Sequence, residues 1–168
     1  MYRLGDQGSA LNELLWDHIE MSEPGAPGPS DPAAGAQFRI VDPASIASPP
    51  ANYAHGIVTT GASRWLHTAG VVPIAPDGST PDVLIEQARV VWANIEAIVA
   101  EAGMDLGRIV SLTTYVVAEQ LDDPASLASV MAVRDEMLGG RLVASTLVTV
   151  PELARPEWLI EISVTAAA

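Results

Sequence analysis

The sequence predicts an α+β domain: about six strands in a mixed sheet, with two helices packed on one face. Three observations predict it. Short β-branched runs outnumber helical patterns, and the order reads β-β-β-α-β-α-β-β. Only two segments carry the three-and-four apolar spacing of an amphipathic helix. The strands are apolar on both faces, so a second layer must cover what two helices leave bare.

The chain has 168 residues, 49% apolar and 17% charged, enough for one packed domain and too few for two full-sized ones. Residues 22–36, SEPGAPGPSDPAAGA, hold four prolines and three glycines and read as a linker. Residues 1–36 are thus an N-terminal extension, in which 10–20 is either one short amphipathic helix behind Ser9 as its cap or a tail that orders only against a neighbour or not at all. The domain itself occupies 37–168.

Strands are expected at 38–41, 56–60 and 65–71, the last two joined as a hairpin by Gly61, Ala62 and Ser63. Thr80 and Pro81 suit a helix start. Leu84, Ala88, Val91, Trp92, Ile95, Ile98 and Val99 repeat at helical spacing behind them, and Gly103 ends the run. A long strand follows at 109–117. Asp123 and Pro124 open the second helix, with Leu127, Val130, Met131 and Leu138 along one side, and Gly139 and Gly140 stop it. Strands at 144–150 and 159–165 close the chain. Within 109–117 one face shows Val110, Leu112, Thr114 and Val116; the other shows Ile109, Ser111, Thr113, Tyr115 and Val117. The helices can cover only one of these, so another copy of the chain is expected on the other.

Charge and composition narrow the function. The net charge is −13, and all eight cations are arginines. Binding to nucleic acid or an anionic membrane needs clustered cations, so neither is expected as a partner. There is no cysteine, which removes disulfides and thiolate chemistry. His18, His55 and His67 lack ligand spacing, so no metal and no cofactor is expected. No basic, apolar leader opens the sequence, and the apolar stretch 83–100 is broken by Glu86, Arg89 and Glu96; a cytoplasmic location is the expectation.

The segment EQARVVWANIEAIVAEAGMDLGRIVSLTTYVV (86–117) resembles the RidA/YjgF family of imine and enamine deaminases. ANYAHGIV (51–58) and WLHTAGVVP (65–73) resemble that family's first strands. VASTLVTVPEL (143–153) and LIEISVTA (159–166) resemble its last two. The resemblance covers about residues 46–166. It implies a chorismate-mutase-like fold, a homotrimer, and a small-molecule cleft at each subunit boundary. It implies Glu161 as the catalytic acid and base, with Tyr53, Gly70, Ser145, Thr146 and Leu147 along the cleft.

This chain departs from the family pattern. The family carries Pro-Ala-Arg-Ser at the start of the fifth strand, and its arginine forks onto a substrate carboxylate. Here the stretch is Val143-Ala144-Ser145-Thr146, with serine in the arginine's place. The family's Tyr-Ser pair is Tyr53-Ala54, and its Ser-Gly-Gln strand end is Ala69-Gly70-Val71. Arg64, Arg141 and Arg155 stand near turns as replacements to be weighed. His67, on a strand face between Trp65 and Ala69, is a candidate second acid/base group. Asn94 reads as a structural link from helix to loop.

The expected function is therefore that of a RidA-like enzyme acting on a small imine, enamine or related tautomerisable metabolite. Hydrolytic deamination, tautomerisation or cyclisation all fit, free 2-imino carboxylates are not the expected substrates, and a specialised biosynthetic pathway is the natural setting. The alternative is a non-catalytic trimer that binds a metabolite or a protein.

Overall fold

The computed structural model describes residues 35–168; the helix expected over 10–20 lies outside them. Strands β1 (Gln37–Val41) and β2 (Gly56–Thr60) pair antiparallel as a separate ribbon. The main sheet runs β3-β6-β4-β5, from β3 (Trp65–His67), β4 (Ile109–Val117), β5 (Ala144–Val150) and β6 (Ile160–Ala167). It is mixed: β4 and β5 are parallel, and the other pairs are antiparallel. Helices α1 (Leu84–Glu101) and α2 (Pro124–Met137) complete the α+β architecture.

The six strands thus divide two and four, and the expected β2–β3 hairpin does not form. Gly61 takes a left-handed φ of +70° and turns the chain away. The N–H groups of Ser63 and Arg64 then donate to Ala168 O at 2.8 and 2.9 Å, committing β3 to the end of β6. The ribbon instead meets the main sheet where β5 begins, with Ala54 bridged to Ala144.

Burial alternates along β4 and β6. Leu112, Thr114 and Val116 are buried, as are Ile160, Ile162 and Val164; the residues between them are half-buried. The buried row packs on Val91, Trp92, Ile95 and Val99 of α1 and on Val130 and Val133 of α2 in one apolar core. The other face carries Ser111, Thr113, Tyr115, Glu161, Ser163 and Thr165.

Helix α1 starts at Leu84, later than Thr80 and Pro81 suggest, behind an extended Val83 with no side-chain cap. The cause is Gln87, which is fully buried. Its amide donates to Pro81 O and to Glu157 O, each at 2.7 Å, and its oxygen accepts from Leu159 N at 2.8 Å. The Pro81 carbonyl is held by this side chain and not by the helix, and the same side chain fixes the approach to β6. Helix α2 begins as read from the sequence, with Asp123 Oδ1 accepting from Ala125 N at 2.9 Å. Gly139 and Gly140, both at positive φ, stop the chain beyond it. Among the described residues no helix is long and apolar enough to cross a membrane.

Candidate functional site

Strand β3 is shorter than expected, and its interruption shapes the site. His67 pairs with Thr165, and Thr68 N donates to Val164 O at 3.1 Å. Pairing resumes where Val71 and Ile162 exchange N–H···O bonds of 2.8 and 3.1 Å. Ala69 and Gly70 therefore stand opposite the single residue Ser163, a β-bulge. The side-chain oxygen of Thr68 holds the bulge by accepting from Val164 N at 3.0 Å.

The bulge brings Gly70 onto Glu161. A Cβ built on Gly70 would overlap the Glu161 carboxylate, only 2.5 Å from its Cδ. The absence of a Cβ at Gly70 thus leaves the room the Glu161 carboxylate occupies; no positive φ is involved. Glu161 lies beside Tyr115 on the face away from the helices, half-buried. Its carboxylate takes no hydrogen bond from another described residue and faces no arginine among them.

Next to it, a cavity of about 350 Å³ opens on the same face. Tyr53, Ser145 and Thr146 line it together with His55, Ser111 and Ser163. Tyr53 is held from both sides. Ala54 N donates to Val143 O at 2.9 Å, and Asn52 is gripped by α2. There Arg134, 4% exposed, donates through Nη2 to Asn52 O at 2.8 Å and to Asp135 Oδ1 at 2.7 Å, while Asn52 Nδ2 donates to Asp135 Oδ2 at 2.8 Å. His55 braces the same loop, its Nε2 2.8 Å from Ala47 O and its ring edge-on to Tyr53.

The structure thus gathers the sequence-derived residues into two adjoining groups, Gly70 with Glu161, and Tyr53 with Ser145 and Thr146. His67 lies on the same face beside the second group. Its Nδ1 is 3.2 Å from Thr165 Oγ1, and its ring stacks on Trp65 at 6.4 Å. Leu147 stands apart: register puts it beside buried Thr114, in the helix-side row, at an exposed sheet edge. Ser145, beside Leu112, begins that same row.

The three arginines weighed as replacements are engaged elsewhere. Arg64 donates to Ala102 O at 3.1 Å, and Arg141 to Leu106 O and Ile109 O at 3.1 and 3.3 Å. Arg155 lies 3.7 Å from Glu157 and over the Trp158 ring. None of them lines the cavity. Asn94 bridges helix and loop as read, donating to Ile74 O at 2.9 Å. Sequence reasoning missed the Arg134 clamp, although a signal was present: Val130, Arg134 and Leu138 recur every four residues, placing a guanidinium on a buried helical stripe. Among the described residues no group of three or more His, Asp or Glu side chains could hold a metal ion.

A mixed sheet backed by two helices on one face, with a carboxylate seated on a bulge of the other, defines a small α+β protein of the chorismate-mutase-like class. The chain belongs to the Rid/YjgF family: the family model described as Endoribonuclease L-PSP matches residues 44–168. The Rid family protein YyfB of Yersinia pestis, described as of unknown function, is 31% identical with a TM-score of 0.68, over 78% of this chain and 98% of that one. The YjgF gene product of E. coli is 30% identical with a TM-score of 0.53, over 68% and 87%. TdcF of E. coli with bound serine is 24% identical with a TM-score of 0.55, over 77% and 98%, a likeness of fold. No curated protein matches the chain.

Proposed function

We propose that this chain is a Rid-type enzyme that hydrolyses a small imine or its enamine tautomer lacking a free carboxylate. The observation that carries the reading is Glu161, a carboxylate with no hydrogen-bond or ion-pair partner among the described residues, seated against Gly70 beside a polar cavity. In that position it orients a water and accepts its proton as the oxygen adds to the C=N carbon. It then returns a proton to the nitrogen of the carbinolamine. The C–N bond breaks, the carbonyl forms and ammonia leaves, so imine plus water gives carbonyl plus ammonia.

Serine stands at position 145, where the family's arginine would meet a carboxylate, and among the described residues no arginine lines the cavity. The word endoribonuclease in the family's description fits this chain poorly. A net charge of −13 without lysine disfavours a phosphate backbone. We also take the assembly to be a homotrimer, with copies covering the remainder of the open face around Tyr115, Val148 and Trp65. Trp65 is 51% exposed and Val148 37%. A cytoplasmic setting and a role in specialised metabolism complete the proposal. The second reading, a non-catalytic metabolite-binding trimer, is favoured by Ser145 alone.

Ammonia release from 2-iminopropionate and from 2-iminopropionamide, each generated in situ, tests the proposal. Hydrolysis of the amide is expected to accelerate. The carboxylate should gain at least about a hundredfold less, the scale of one lost charged contact. Equal acceleration of the carboxylate would contradict the reading of Ser145. No acceleration of either would favour the binding protein.

A further inference from the structure

Three adjacent strands present small side chains in two aligned rows on the face away from the helices. In the first, Thr165 of β6 lies beside Ser111 of β4, and Ser111 beside Ala144 of β5. In the second, Ser163 lies beside Thr113, and Thr113 beside Thr146. All six line the 350 Å³ cavity. Strands stand about 4.8 Å apart and alternate residues roughly 6.8 Å along each, so this floor is a lattice of five hydroxyls at regular intervals.

Thr165 is engaged by His67. The hydroxyls of Ser111, Thr113, Thr146 and Ser163 take part in no hydrogen bond with other described residues. Among the described residues no carboxylate or guanidinium lines the cavity, and His55 is the sole titratable wall group besides the Tyr53 phenol. A face that only had to be buried against another copy would be better served by apolar residues. A sheet floor of small hydroxylated residues both opens the space and supplies donors and acceptors together.

We infer that this floor is a recognition surface for an uncharged ligand bearing several hydroxyl or amide groups. Hydroxyls satisfy such groups in pairs, whereas a carboxylate would lose its hydration without gaining a counter-charge. A water occupies about 30 Å³ of liquid, so the cavity holds the equivalent of roughly ten waters, a ligand of about ten heavy atoms. The inference gives the substrate class of the proposed enzyme and rests on that reading for the ligand's role in turnover. Binding itself does not depend on turnover.

Calorimetric titration of the full chain with N-acetylserinamide and with N-acetylserine tests it, a pair alike in size and differing in charge. The amide should bind at least about tenfold more tightly than the acid. Thr113→Val with Ser163→Ala should weaken the amide at least about tenfold while the thermal midpoint holds. If that pair fails to fold, Thr146→Val on the edge strand should still weaken binding. Equal affinity for the acid, no binding of either probe, or amide binding unmoved by the substitutions would overturn the inference. Glu161→Gln is expected to keep amide binding while it loses imine hydrolysis. Amide binding by the unsubstituted protein with no acceleration of imine hydrolysis would sink the enzyme and keep the floor. Hydrolysis unaffected by Thr113→Val with Ser163→Ala would sink the floor and keep the enzyme.

Discussion

Glu161→Gln and Gly70→Ala each remove hydrolysis of the imine amide, by about a hundredfold to ten-thousandfold, the contribution of one positioned acid and base. The two substitutions act by different routes. Glutamine keeps the shape of Glu161 and cannot take the proton from water. Alanine at position 70 leaves the acid chemically intact and pushes its carboxylate aside, because the added Cβ falls where the carboxylate now sits. The obstacle is the far end of a flexible side chain, and Gly70 has no left-handed φ to preserve. The fold should therefore survive, with a thermal midpoint within about 2 °C of the parent, no more than the effect of about 1 kcal/mol. Paired measurement of kcat and thermal unfolding checks this. Wild-type turnover in Gly70→Ala would show that the contact of Glu161 with the bulge has no part in the chemistry.

The largest effect on stability is expected at Gln87. Gln87→Leu keeps a similar volume and an apolar surface, yet strips partners from Pro81 O, Glu157 O and Leu159 N. Each backbone group left short of a partner costs about 1–3 kcal/mol, less where water reaches it, so the sum is about 3–5 kcal/mol. At roughly 2–4 °C per kcal/mol, the midpoint should fall by about 6–20 °C. Glu157 and Leu159 lead directly into β6, so the strand that carries Glu161 loosens first. Urea unfolding followed by Trp fluorescence measures the loss, and a change below about 1 kcal/mol would contradict the role assigned to Gln87.

Local signals were enough to read α2, β4 and β5. Asp123 caps as a short side chain ahead of proline should, and the bounds of β4 follow its apolar run. What escaped the sequence depends on distant partners. Gln87 shifts the start of α1 through groups up to 72 positions away, and Ala168 draws Ser63 and Arg64 away from β2. The bulge at Ala69 and Gly70 depends on Thr68 meeting Val164, a pairing no local pattern encodes.

The site was legible to the same degree. Alternation along β6 placed Glu161 opposite the helix-facing Ile160 and Ile162, and the structure shows that alternation. Alternation along β5 joined Ser145 to Leu147 but could not say on which side. The parallel register with β4 settles it, with Ser145 beside Leu112 and Leu147 beside Thr114. Period two fixes which residues share a face, and only pairing fixes which face that is.

That register gives the oligomer its place in the account. Glu161 lies on one face, while Leu147 stands in the opposite row at the exposed edge, so a single chain does not bring these two together. A second copy, its β5 edge set against the open face of the first, would do so. The mass in solution, measured by light scattering behind a sizing column, tests this most directly. Three times the 17.6 kDa chain mass is the expected result. A stable species of one chain mass that still hydrolyses the imine amide would contradict the account.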